Sequence, residues 1–495
     1  MTKHKRERRP ANQASARDSG ECRNLSTSSF RTPRSGDPES SFSVSMETVA
    51  LTPLGEVADI NPRFGKDELA DDMLGSFVPM KCVEEESGRF APLEDRKVSV
   101  VRKGYTSFRD RDVIFAKVTP CMENGKAAVL SGLTNGVGFG STEFFVLRPS
   151  KRIDPKYLLH FVLQQSFRKE AARNMTGAVG LRRVPKSWLE QQRIPLPSIP
   201  AQRQIVAEIE KQFTRLDAGV AALRRVQANL KRYRAAVLKA ACEGRLVPTE
   251  AELAKAEGRT YETGEQLLAR ILADRRDNWH GRSKYKEPAA PNTTNLPPLP
   301  EGWVWASLDR LMLNITDGDH LPPPQTDSGV PFLVIGNVRT GMLDFQNTRF
   351  VSRDYFDGVD AFRRPVRGDI LYSLVGSYGI ALLVDTDREF CIQRHIGIMR
   401  PHTLTPSRYL VHILNSNFVF QQATNCATGT AQKTVPLSGL RRVAVPLPPI
   451  AEQTRIVAEI GRRLSVVEEL ETAISVNLQR ANRLRQSILQ RAFAG

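Results

Sequence analysis

The sequence has few cysteines, and none of them are spaced as paired metal ligands. They are scattered over 495 positions without a Cys-x-x-Cys, at Cys22, Cys82, Cys121, Cys242, Cys391 and Cys426. This pattern argues against a disulfide framework and a zinc site, and it favours reduced thiols in a cytoplasmic protein. No apolar run approaches the roughly 18 residues that a membrane-spanning helix requires, so we expect no membrane partner.

The motifs of nucleotide-using and methyl-transferring enzymes are also missing. No GxxxxGK[ST] loop occurs, because Asn124-Gly-Lys126 lacks both the first glycine and the hydroxyl residue. The glycine-rich run Gly136–Gly140 precedes no helical pattern, so we interpret it as a turn. No [DN]PP[FYW] tetrapeptide of the amino-methyltransferase kind is found. We therefore predict no catalytic residue in this chain.

Histidines and carboxylates form no convincing metal site. His160, His395 and His412 lie in apolar helix or strand patterns, and we interpret them as packing residues. Asp317-Gly-Asp319-His320 is a carboxylate cluster just before a proline run at 322–324, where a turn explains it better than a metal ion does. We predict no metal ligands.

Positive charge is abundant. The formal net charge is +17 and the isoelectric point is about 9.8, which favours a polyanionic partner, with nucleic acid as the first candidate. Residues 1–45 are rich in Ser and Arg and almost devoid of aliphatic side chains, so we expect a disordered basic tail. The folded chain is expected to begin near Met46.

One stretch of the sequence occurs twice and organises the rest. Residues 194–209 (IPLPSIPAQRQIVAEI) and 445–460 (VPLPPIAEQTRIVAEI) match at ten of sixteen positions, at an offset of 251 residues. The prolines exclude helix before each copy, and Pro200 suits a first helical turn. Gly244 and Gly495 follow the two helical patterns, where a left-handed cap is favourable.

Apolar residues then recur at heptad spacing in both copies. This spacing predicts a coiled-coil seam over about four heptads, and we infer that the two helices pair with each other. The predicted seam residues are Phe213, Leu216, Val220, Leu223, Leu230, Val237, Leu464, Val467, Ile474, Leu478 and Ile488.

A mixed globular segment precedes each helix. In the first, Lys97–Val101, Asp112–Val118 and Thr142–Leu147 are predicted strands, and Asp154–Glu170 is a predicted amphipathic helix. In the second, Asp369–Leu374 corresponds to residues 112–117, Ser407–Asn417 to residues 155–165, and TGTAQKTVP at 428–436 to TGAVGLRRVP at 176–185. The first hundred residues of the two segments align poorly.

These observations predict an α+β protein. Two mixed α/β domains are separated by two long helices that form an antiparallel coiled coil with pseudo-two-fold symmetry. The predicted parts are a basic tail (1–45), a first domain (46–199), a central spacer helix (200–245), a helical and Pro-rich linker (246–300), a second domain (301–449) and a C-terminal spacer helix (450–495). Tyr261–Asp277 is the helical part of the linker, and Glu287–Pro300 is its proline-rich part.

The arrangement resembles the specificity (S) subunit of type I restriction–modification systems over residues 50–495. The resemblance depends on the doubled PLPxIxxQxxIVAEI signal, the paired helices ending at Gly244 and Gly495, and the LPxLPEGWVW entry at Leu296–Trp305. It implies that each globular half is a target recognition domain for one part of a bipartite, asymmetric site in double-stranded DNA. It also implies that the helices set the gap between those parts.

The resemblance further implies a non-catalytic subunit of a restriction endonuclease and adenine methyltransferase complex. Its implied partners are two modification (methyltransferase) subunits, with restriction (endonuclease/translocase) subunits in the full complex. No cofactor is expected in this chain, whereas S-adenosylmethionine, ATP and Mg are expected in the partner subunits. The basic tail is not required by the family pattern.

Candidate DNA contacts are loop residues whose donors reach phosphates or base edges. In the first half they are Lys117, Thr119, Asn124, Lys126, Arg182 and Arg183. In the second half they are Ser373, Ser377, Tyr378, Gln393, Arg394, Gln432 and Lys433. Thr176-Gly177 and Thr428-Gly429 recur in both halves, which favours a role in loop shape over sequence choice.

Two other functions are compatible with the same sequence. A stand-alone bipartite DNA-binding regulator would bind its site tightly without partners. A structural coiled-coil adaptor would carry its charge incidentally. Different globular halves on matching helices favour the recognition subunit, because matching helices suit one shared partner that binds both.

Overall fold

A computed structural model describes residues 49–65, 68–178, 180–280, 284–320, 323–338, 340–430 and 432–494. The predicted basic tail (1–45) and the predicted cap residue Gly495 lie outside the described residues. The described chain divides into two compact units. The first unit contains the residues up to Gln212 and those from Ile488 onward, and the second contains Phe213–Ser487. Each long helix therefore contributes residues to both units.

Within the described residues, the first half of the chain forms ten strands and six helices. The strands are β1 (Leu51–Pro53), β2 (Ala58–Ile60), β3 (Leu74–Val78), β4 (Glu94–Lys97), β5 (Thr106–Arg109), β6 (Val113–Ala116), β7 (Ala127–Val129), β8 (Val137–Gly140), β9 (Phe144–Pro149) and β10 (Arg193–Pro195). The helices are α1 (Leu54–Val57), α2 (Val98–Val101), α3 (Pro155–Val162), α4 (Gln165–Arg173), α5 (Lys186–Gln191) and α6 (Ile199–Cys242).

The second half forms nine strands and eight helices within the described residues. The strands are β11 (Val304–Ser307), β12 (Met312–Asp317), β13 (Val330–Leu333), β14 (Arg349–Val351), β15 (Ile370–Ser373), β16 (Ala381–Leu383), β17 (Cys391–Ile392), β18 (Ile396–Pro401) and β19 (Ala444–Leu447). The helices are α7 (Glu250–Glu257), α8 (Gly264–Asp277), α9 (Leu308–Leu311), α10 (Arg353–Gly358), α11 (Ser407–Leu414), α12 (Asn417–Cys426), α13 (Leu437–Arg441) and α14 (Ile450–Phe493).

The two units have corresponding sheets, although the second sheet has one strand fewer in the second unit among the described residues. In the first unit, one sheet has the order β2-β9-β6-β7 and another has the order β4-β3-β8-β5, with β3 and β8 parallel. In the second unit, the corresponding sheets are β12-β18-β15-β16 and β14-β13-β17, with β13 and β17 parallel. A two-stranded pair, β1-β10 or β11-β19, completes each unit. The duplication therefore extends through the segments whose sequences align poorly.

A buried Arg–Asp pair stands at the same place in each unit. Asp112, just before β6, accepts two hydrogen bonds from Arg148 of β9, at 2.9 and 2.8 Å. Asp369, just before β15, accepts the same two bonds from Arg400 of β18, at 2.9 and 2.8 Å. Each aspartate side chain is only 2% exposed. The repeated carboxylate at the start of the central strand is thus a structural residue in both halves.

Removing one of these buried carboxylates should destabilise its unit. Asp369→Ala leaves the Arg400 guanidinium, itself 22% exposed, and the Val366 amide without their acceptor. We expect a loss of about 2–4 kcal/mol in the free energy of unfolding. Asp387→Ala is the matched control, because Asp387 makes the same bidentate pair with Arg367 at a site that is 79% exposed. Urea unfolding should show less than about 1 kcal/mol for the control. Equal losses would contradict the assignment.

The repeated proline–glutamine motif fixes the start of each long helix. Gln202 and Gln453 are fully buried. The Gln202 amide donates to the carbonyls of Pro197 and Arg152, and the Gln453 amide donates to the carbonyl of Pro448. In each copy the glutamine side chain therefore bonds to the carbonyl of the proline five residues before it. The repeated spacing between proline and glutamine closes the turn from strand to helix.

The two long helices pair within the second unit. Leu230 of α6 packs with Val467 and Ile474 of α14, and the half-buried Leu223 and Leu478 join this cluster. Of the predicted seam, Phe213, Leu230, Val237, Leu464, Val467, Ile474 and Ile488 are buried, whereas Leu216, Val220, Leu223 and Leu478 are partly buried. Val237 and Leu464 belong to the large core of the second unit rather than to this cluster. The described helices include none with the length and apolarity to cross a bilayer.

Ion pairs show that the helices are antiparallel. Arg234 of α6 lies 3.7 Å from Glu468 and 3.6 Å from Glu471. Asp217, nearer the start of α6, pairs with Arg485, nearer the end of α14. Adding the repeat offset of 251 residues to Asp217 and Arg234 gives Glu468 and Arg485. Each of the Asp217–Arg485 and Arg234–Glu468 ion pairs is therefore the repeat-related copy of the other. Arg485 also stacks on the Phe213 ring at 4.2 Å. The predicted antiparallel pairing is confirmed, and these contacts obey two-fold symmetry.

Three sequence predictions of local structure are wrong. Most of the glycine-rich run 136–140, interpreted as a turn, is strand β8 (137–140), because it pairs with β3 and β5. Residues 98–101 form the helical turn α2 rather than a strand, because Val98 and Val101 pack together against Phe77 and Phe139 in a small core. β-propensity is weak and gives way to such packing. The predicted helix 154–170 is two helices, α3 and α4, because Gln164 adopts an extended conformation between them. Gly244 has φ 65°, as predicted for the cap after α6.

Candidate nucleic-acid interface

Three loops meet at the end of the central strand β6 in the first unit. Loop A (117–126) follows β6, loop B (174–185) joins α4 to α5, and loop C (141–143) joins β8 to β9. The Lys117 amide donates to the Glu143 carbonyl at 2.9 Å, which joins loops A and C. The Val184 amide donates to the Lys117 carbonyl at 2.9 Å and the Thr119 amide donates to the Arg182 carbonyl at 3.1 Å, which joins loops A and B. Backbone hydrogen bonds thus hold the three loops as one surface.

The second unit builds the same surface from equivalent segments. Its loop A is 374–380, its loop B is 427–436 and its loop C is 393–395. The Leu374 amide donates to the His395 carbonyl at 2.9 Å, and the Val435 amide donates to the Leu374 carbonyl at 2.8 Å. The Gly376 amide donates to the Lys433 carbonyl at 3.1 Å. The same backbone frame therefore presents different side chains in the two units.

The recurring Thr-Gly pair shapes loop B. Thr176 exchanges backbone hydrogen bonds with Arg183, and Thr428 does so with Thr434. The following glycines, Gly177 and Gly429, have φ of 116° and 95°. A Cβ atom at Gly429 would lie 2.5 Å from a backbone oxygen, and one at Gly177 would lie 2.9 Å from another. These distances and the positive φ explain why glycine follows threonine in both loops.

Four of the six residues predicted in the first unit come together. Lys117 and Thr119 of loop A lie beside Arg182 and Arg183 of loop B through the backbone bonds described above. Both arginines are exposed, and Lys117 and Thr119 are partly buried.

The other two residues belong to a different part of loop A. The Asn124 amide donates to Glu85 at 2.9 Å, and the Lys126 ammonium donates to the Met80 carbonyl at 3.4 Å. Both therefore support the loop through the segment 80–85.

The second unit brings together residues from all three loops. Ser377 and Tyr378 belong to loop A, which the Gly376 amide joins to loop B beside Gln432 and Lys433. Gln393 and Arg394 directly precede His395 in loop C, and the His395 carbonyl bonds to loop A. Ser377, Arg394, Gln432 and Lys433 are exposed. A direct DNA contact does not fit Ser373, which is 1% exposed. Its hydroxyl donates to the Ser377 carbonyl and accepts from the Ile380 amide, so Ser373 shapes loop A from beneath.

One helix position supports loop A in both units, with different chemistry. Arg168 of α4 is 5% exposed and donates to the Glu123 carbonyl and to the Glu86 carboxylate. At the corresponding position of α12, Phe420 stacks on Tyr378, with centroids 5.5 Å apart and planes 11° apart. Loop A is thus held by an arginine hydrogen bond to its backbone in one unit and by ring stacking in the other.

A side-chain pair joins loops B and C in the first unit. The Arg183 guanidinium donates from Nε and Nη2 to the two carboxylate oxygens of Glu143, at 2.9 and 2.8 Å. These hydrogen bonds, with the nearby Lys117 ammonium, hold the pKa of Glu143 below its ordinary value. In the second unit His395 stands in place of Glu143, and burial and Arg394 lower its pKa. The imidazole is therefore neutral at pH 7, and the two surfaces differ in charge.

A cleft adjoins this surface in the first unit. It has a volume of about 550 Å³ and is lined by Arg63, Arg102 and Lys117 together with the rings of Phe64 and Tyr105. Of these residues, only Lys117 is among the contacts predicted from the sequence. The cations and rings are far apart in the sequence, and only the pairing of β2 with β9 and of β5 with β8 brings them to one place. No local motif carries that signal.

A smaller cleft, of about 310 Å³, occupies the equivalent place in the second unit. It is lined by Gln393, Arg394 and His395 of loop C, and by Asp319 and Arg349. Its mixture of amide, imidazole, carboxylate and guanidinium groups differs from the cationic lining in the first unit. The equivalent positions thus offer different donors and acceptors.

The carboxylate cluster at 317–320 has structural partners. Asp317 contacts His320 at 3.1 Å and Arg363 at 3.4 Å, and Asp319 accepts a hydrogen bond from Tyr355. Across the part of the chain that the structure describes, no three His, Cys, Asp or Glu side chains are grouped as metal ligands. The cysteines described, which exclude Cys22, are free thiols.

The fold and the loops define a class of protein. Two equivalent α+β units each present a three-loop surface of the same backbone and different side chains, and two long antiparallel helices connect the halves of the chain. Comparisons with known proteins agree with this description. A family model described as "Type I restriction modification DNA specificity domain" matches residues 46–221 and 325–480. The chain belongs to this family, as a specificity subunit with two target recognition domains.

Individual relatives are distant but cover most of the chain. The EcoAI specificity subunit of Escherichia coli is 25% identical over 89% of this chain and 82% of its own length. The EcoEI specificity subunit of Escherichia coli is 26% identical over 85% of this chain and 78% of its own length. A chain from a structural study of assembly and conformational transition in the type I R-M system superposes with a TM-score of 0.62 at 20% identity. It covers 91% of this chain and 99% of its own, which supports the fold.

Proposed function

We propose that this chain is the non-catalytic DNA-reading subunit of a type I restriction–modification complex. Each unit reads one part of a bipartite site in double-stranded DNA through loops A, B and C. The observation that carries this proposal is the pair of three-loop surfaces, which share one backbone frame and differ in side chains. A shared frame supports the same docking on the duplex, and different side chains select different bases. The site is therefore asymmetric.

Positive charge supports the same proposal. Exposed cations on the loops, such as Arg182, Arg394 and Lys433, attract phosphates whatever the sequence, which positions the protein without specifying bases. Base choice then comes from donors and acceptors that reach the major groove. The candidate residues named from the sequence, except Ser373, remain proposals for these contacts.

The paired helices are proposed to set the unread gap and to bind two modification subunits. Their repeated sequence and their two-fold related ion pairs offer the same surface twice, which suits two copies of one partner. In the full complex, restriction subunits join the assembly. The partner subunits would use S-adenosylmethionine, ATP and Mg, and this chain would hold no cofactor. We expect the complex to act in the cytoplasm, where the host DNA lies.

Purification with the partner subunits tests this proposal. Co-expression with the modification subunit should yield a complex with two modification subunits per chain by native mass spectrometry. That complex should bind DNA containing the bipartite site far more tightly than the chain alone does. Another stoichiometry would contradict the docking proposal. Equal affinity without partners would favour the stand-alone regulator.

A further inference from the structure

Arg183 is held in a fixed orientation by groups of its own unit. Its Nε and Nη2 atoms, which form one side of the guanidinium, donate to the Glu143 carboxylate. Its Nη1 atom donates to the Leu181 carbonyl at 3.3 Å. Arg183 nevertheless remains 46% exposed, and Glu143 is 26% exposed. A bidentate Arg–carboxylate pair is planar and restricts rotation of the guanidinium. The exposed part of Arg183 is therefore oriented in advance.

The geometry leaves one edge of the guanidinium for a ligand. A guanidinium has five N–H donors. The contacts with Glu143 and Leu181 use three of them, so one hydrogen on Nη1 and one on Nη2 have no assigned acceptor among the described residues. They form the end-on pair of parallel donors when Leu181 accepts the other hydrogen of Nη1, the one on the Cδ side. Such a pair of parallel donors matches two adjacent acceptors.

Guanine presents that pattern in the major groove. Its O6 and N7 atoms are adjacent acceptors, and a bidentate arginine is their commonest specific contact. Adenine offers an acceptor and a donor at the same edge, and a phosphate offers no base selectivity. We propose that Arg183, oriented by Glu143, reads a guanine in the half-site of the first unit. This inference rests on the proposed function, and it names Glu143 as a positioning residue.

The second unit has no equivalent of the Arg183–Glu143 pair. Thr434 takes the place of Arg183 in its loop B, and His395 takes the place of Glu143 in its loop C. The half-site read by the second unit therefore serves as a control within the same molecule. A change at the Arg183–Glu143 pair should affect one half-site and leave the other unchanged.

Arg183→Lys separates guanine reading from phosphate attraction. Lysine keeps the positive charge and loses the planar fork. In the complex with its modification subunits, we expect discrimination at one G·C pair of one half-site to fall roughly 10-fold or more, while the other half-site keeps its sequence. Binding and methylation of DNA libraries with each base pair varied would measure this. A uniform loss of affinity at all sequences would overturn the proposal in favour of a phosphate contact.

Glu143→Gln tests the positioning role. The amide keeps the shape of Glu143 but removes the charge that fixes the fork. We expect partial loss of selectivity at the same G·C pair, with affinity for other sequences kept or raised because a negative charge facing DNA is removed. If the variant lowers thermal stability while every base preference stays as in the wild type, the pair is only structural and the proposal is wrong.

Guanine reading by Arg183 and the proposed function of the chain are contradicted by different results. If the wild-type complex modifies a bipartite site and Arg183→Lys leaves each base preference unchanged, guanine reading fails and the proposed function stands. If the wild-type complex modifies no bipartite site, both fail. Arg173→Lys is the matched control, because Arg173 is an exposed arginine of α4 that also pairs with a carboxylate, Glu170, but lies outside loops A, B and C. It should leave the guanine preference intact.

Discussion

Lengthening both long helices by three heptads should lengthen the unread gap by about 9 bp. The insertions go between Arg225 and Val226 in α6 and between Val476 and Asn477 in α14, which are equivalent points under the repeat. Twenty-one helical residues add about 32 Å, which is about 9 bp of DNA at 3.4 Å per base pair. Whole heptads keep the apolar seam in register. Both half-sites should persist, because the loops are unchanged.

The helical repeat of DNA predicts that the effect on binding depends on the length of the insertion. An added gap of about 9 bp is close to one helical turn, so both half-sites face nearly the same side of the duplex as before. One heptad in each helix adds about 3 bp, which turns the half-sites apart by roughly a third of a turn, and binding should weaken. Selection from a DNA library of varied gaps measures both variants. A seven-residue insertion between Thr294 and Asn295 in the linker is the control and should leave the gap unchanged. An unchanged gap after the helix insertions would show that the helices do not set it.

Val467→Asp should disrupt the helix pair. Val467 is 1% exposed and packs with Leu230 and Ile474. A carboxylate there loses its water without gaining a partner, which costs about 3 kcal/mol or more in the free energy of unfolding. Val467 is a better target than Leu223, which lies in the same seam but is only partly buried. We expect the complex with the modification subunits to be lost, together with a lower unfolding temperature.

The neighbouring residue supplies the control. Val466 is 52% exposed on the same helix, so Val466→Asp adds the same charge without burying it. Its expected effect on stability lies within about 0.5 kcal/mol. Thermal unfolding and gel filtration of the two variants compare them directly. Similar behaviour of both would argue that Val467 is not part of a stabilising interface.

The two long helices and their pairing could be predicted from the sequence, because the signals for both are local or repeated. Heptad spacing gave the seam, and the repeat of residues 194–209 at 445–460 gave the equivalence of the two helices. The buried Gln202 and Gln453 explain why that motif is maintained in both halves. The order of the strands in the sheets was not predicted. Strand order depends on pairings such as β3 with β8, which no local pattern encodes.

The candidate interface was predicted only in part, for the same reason. Lys117 and Arg183 were found because they lie in loops beside recurring residues. Glu143 was missed, since it pairs with Arg183 across 40 positions. Ser373 was included as a loop residue, whereas it is the last residue of β15, where every side chain is buried. Local composition identifies the loops, and tertiary pairing decides which side chains are presented.

Sequencing of modified bases in the host genome tests the central claim most directly. Single-molecule sequencing would be compared between the host with this gene and the host without it. The account predicts that a split, asymmetric methylated motif is present with the gene and disappears on its deletion. A methylation pattern that stays the same after deletion, in a host whose modification subunit is active, would contradict the assignment of this chain as the reader of the site.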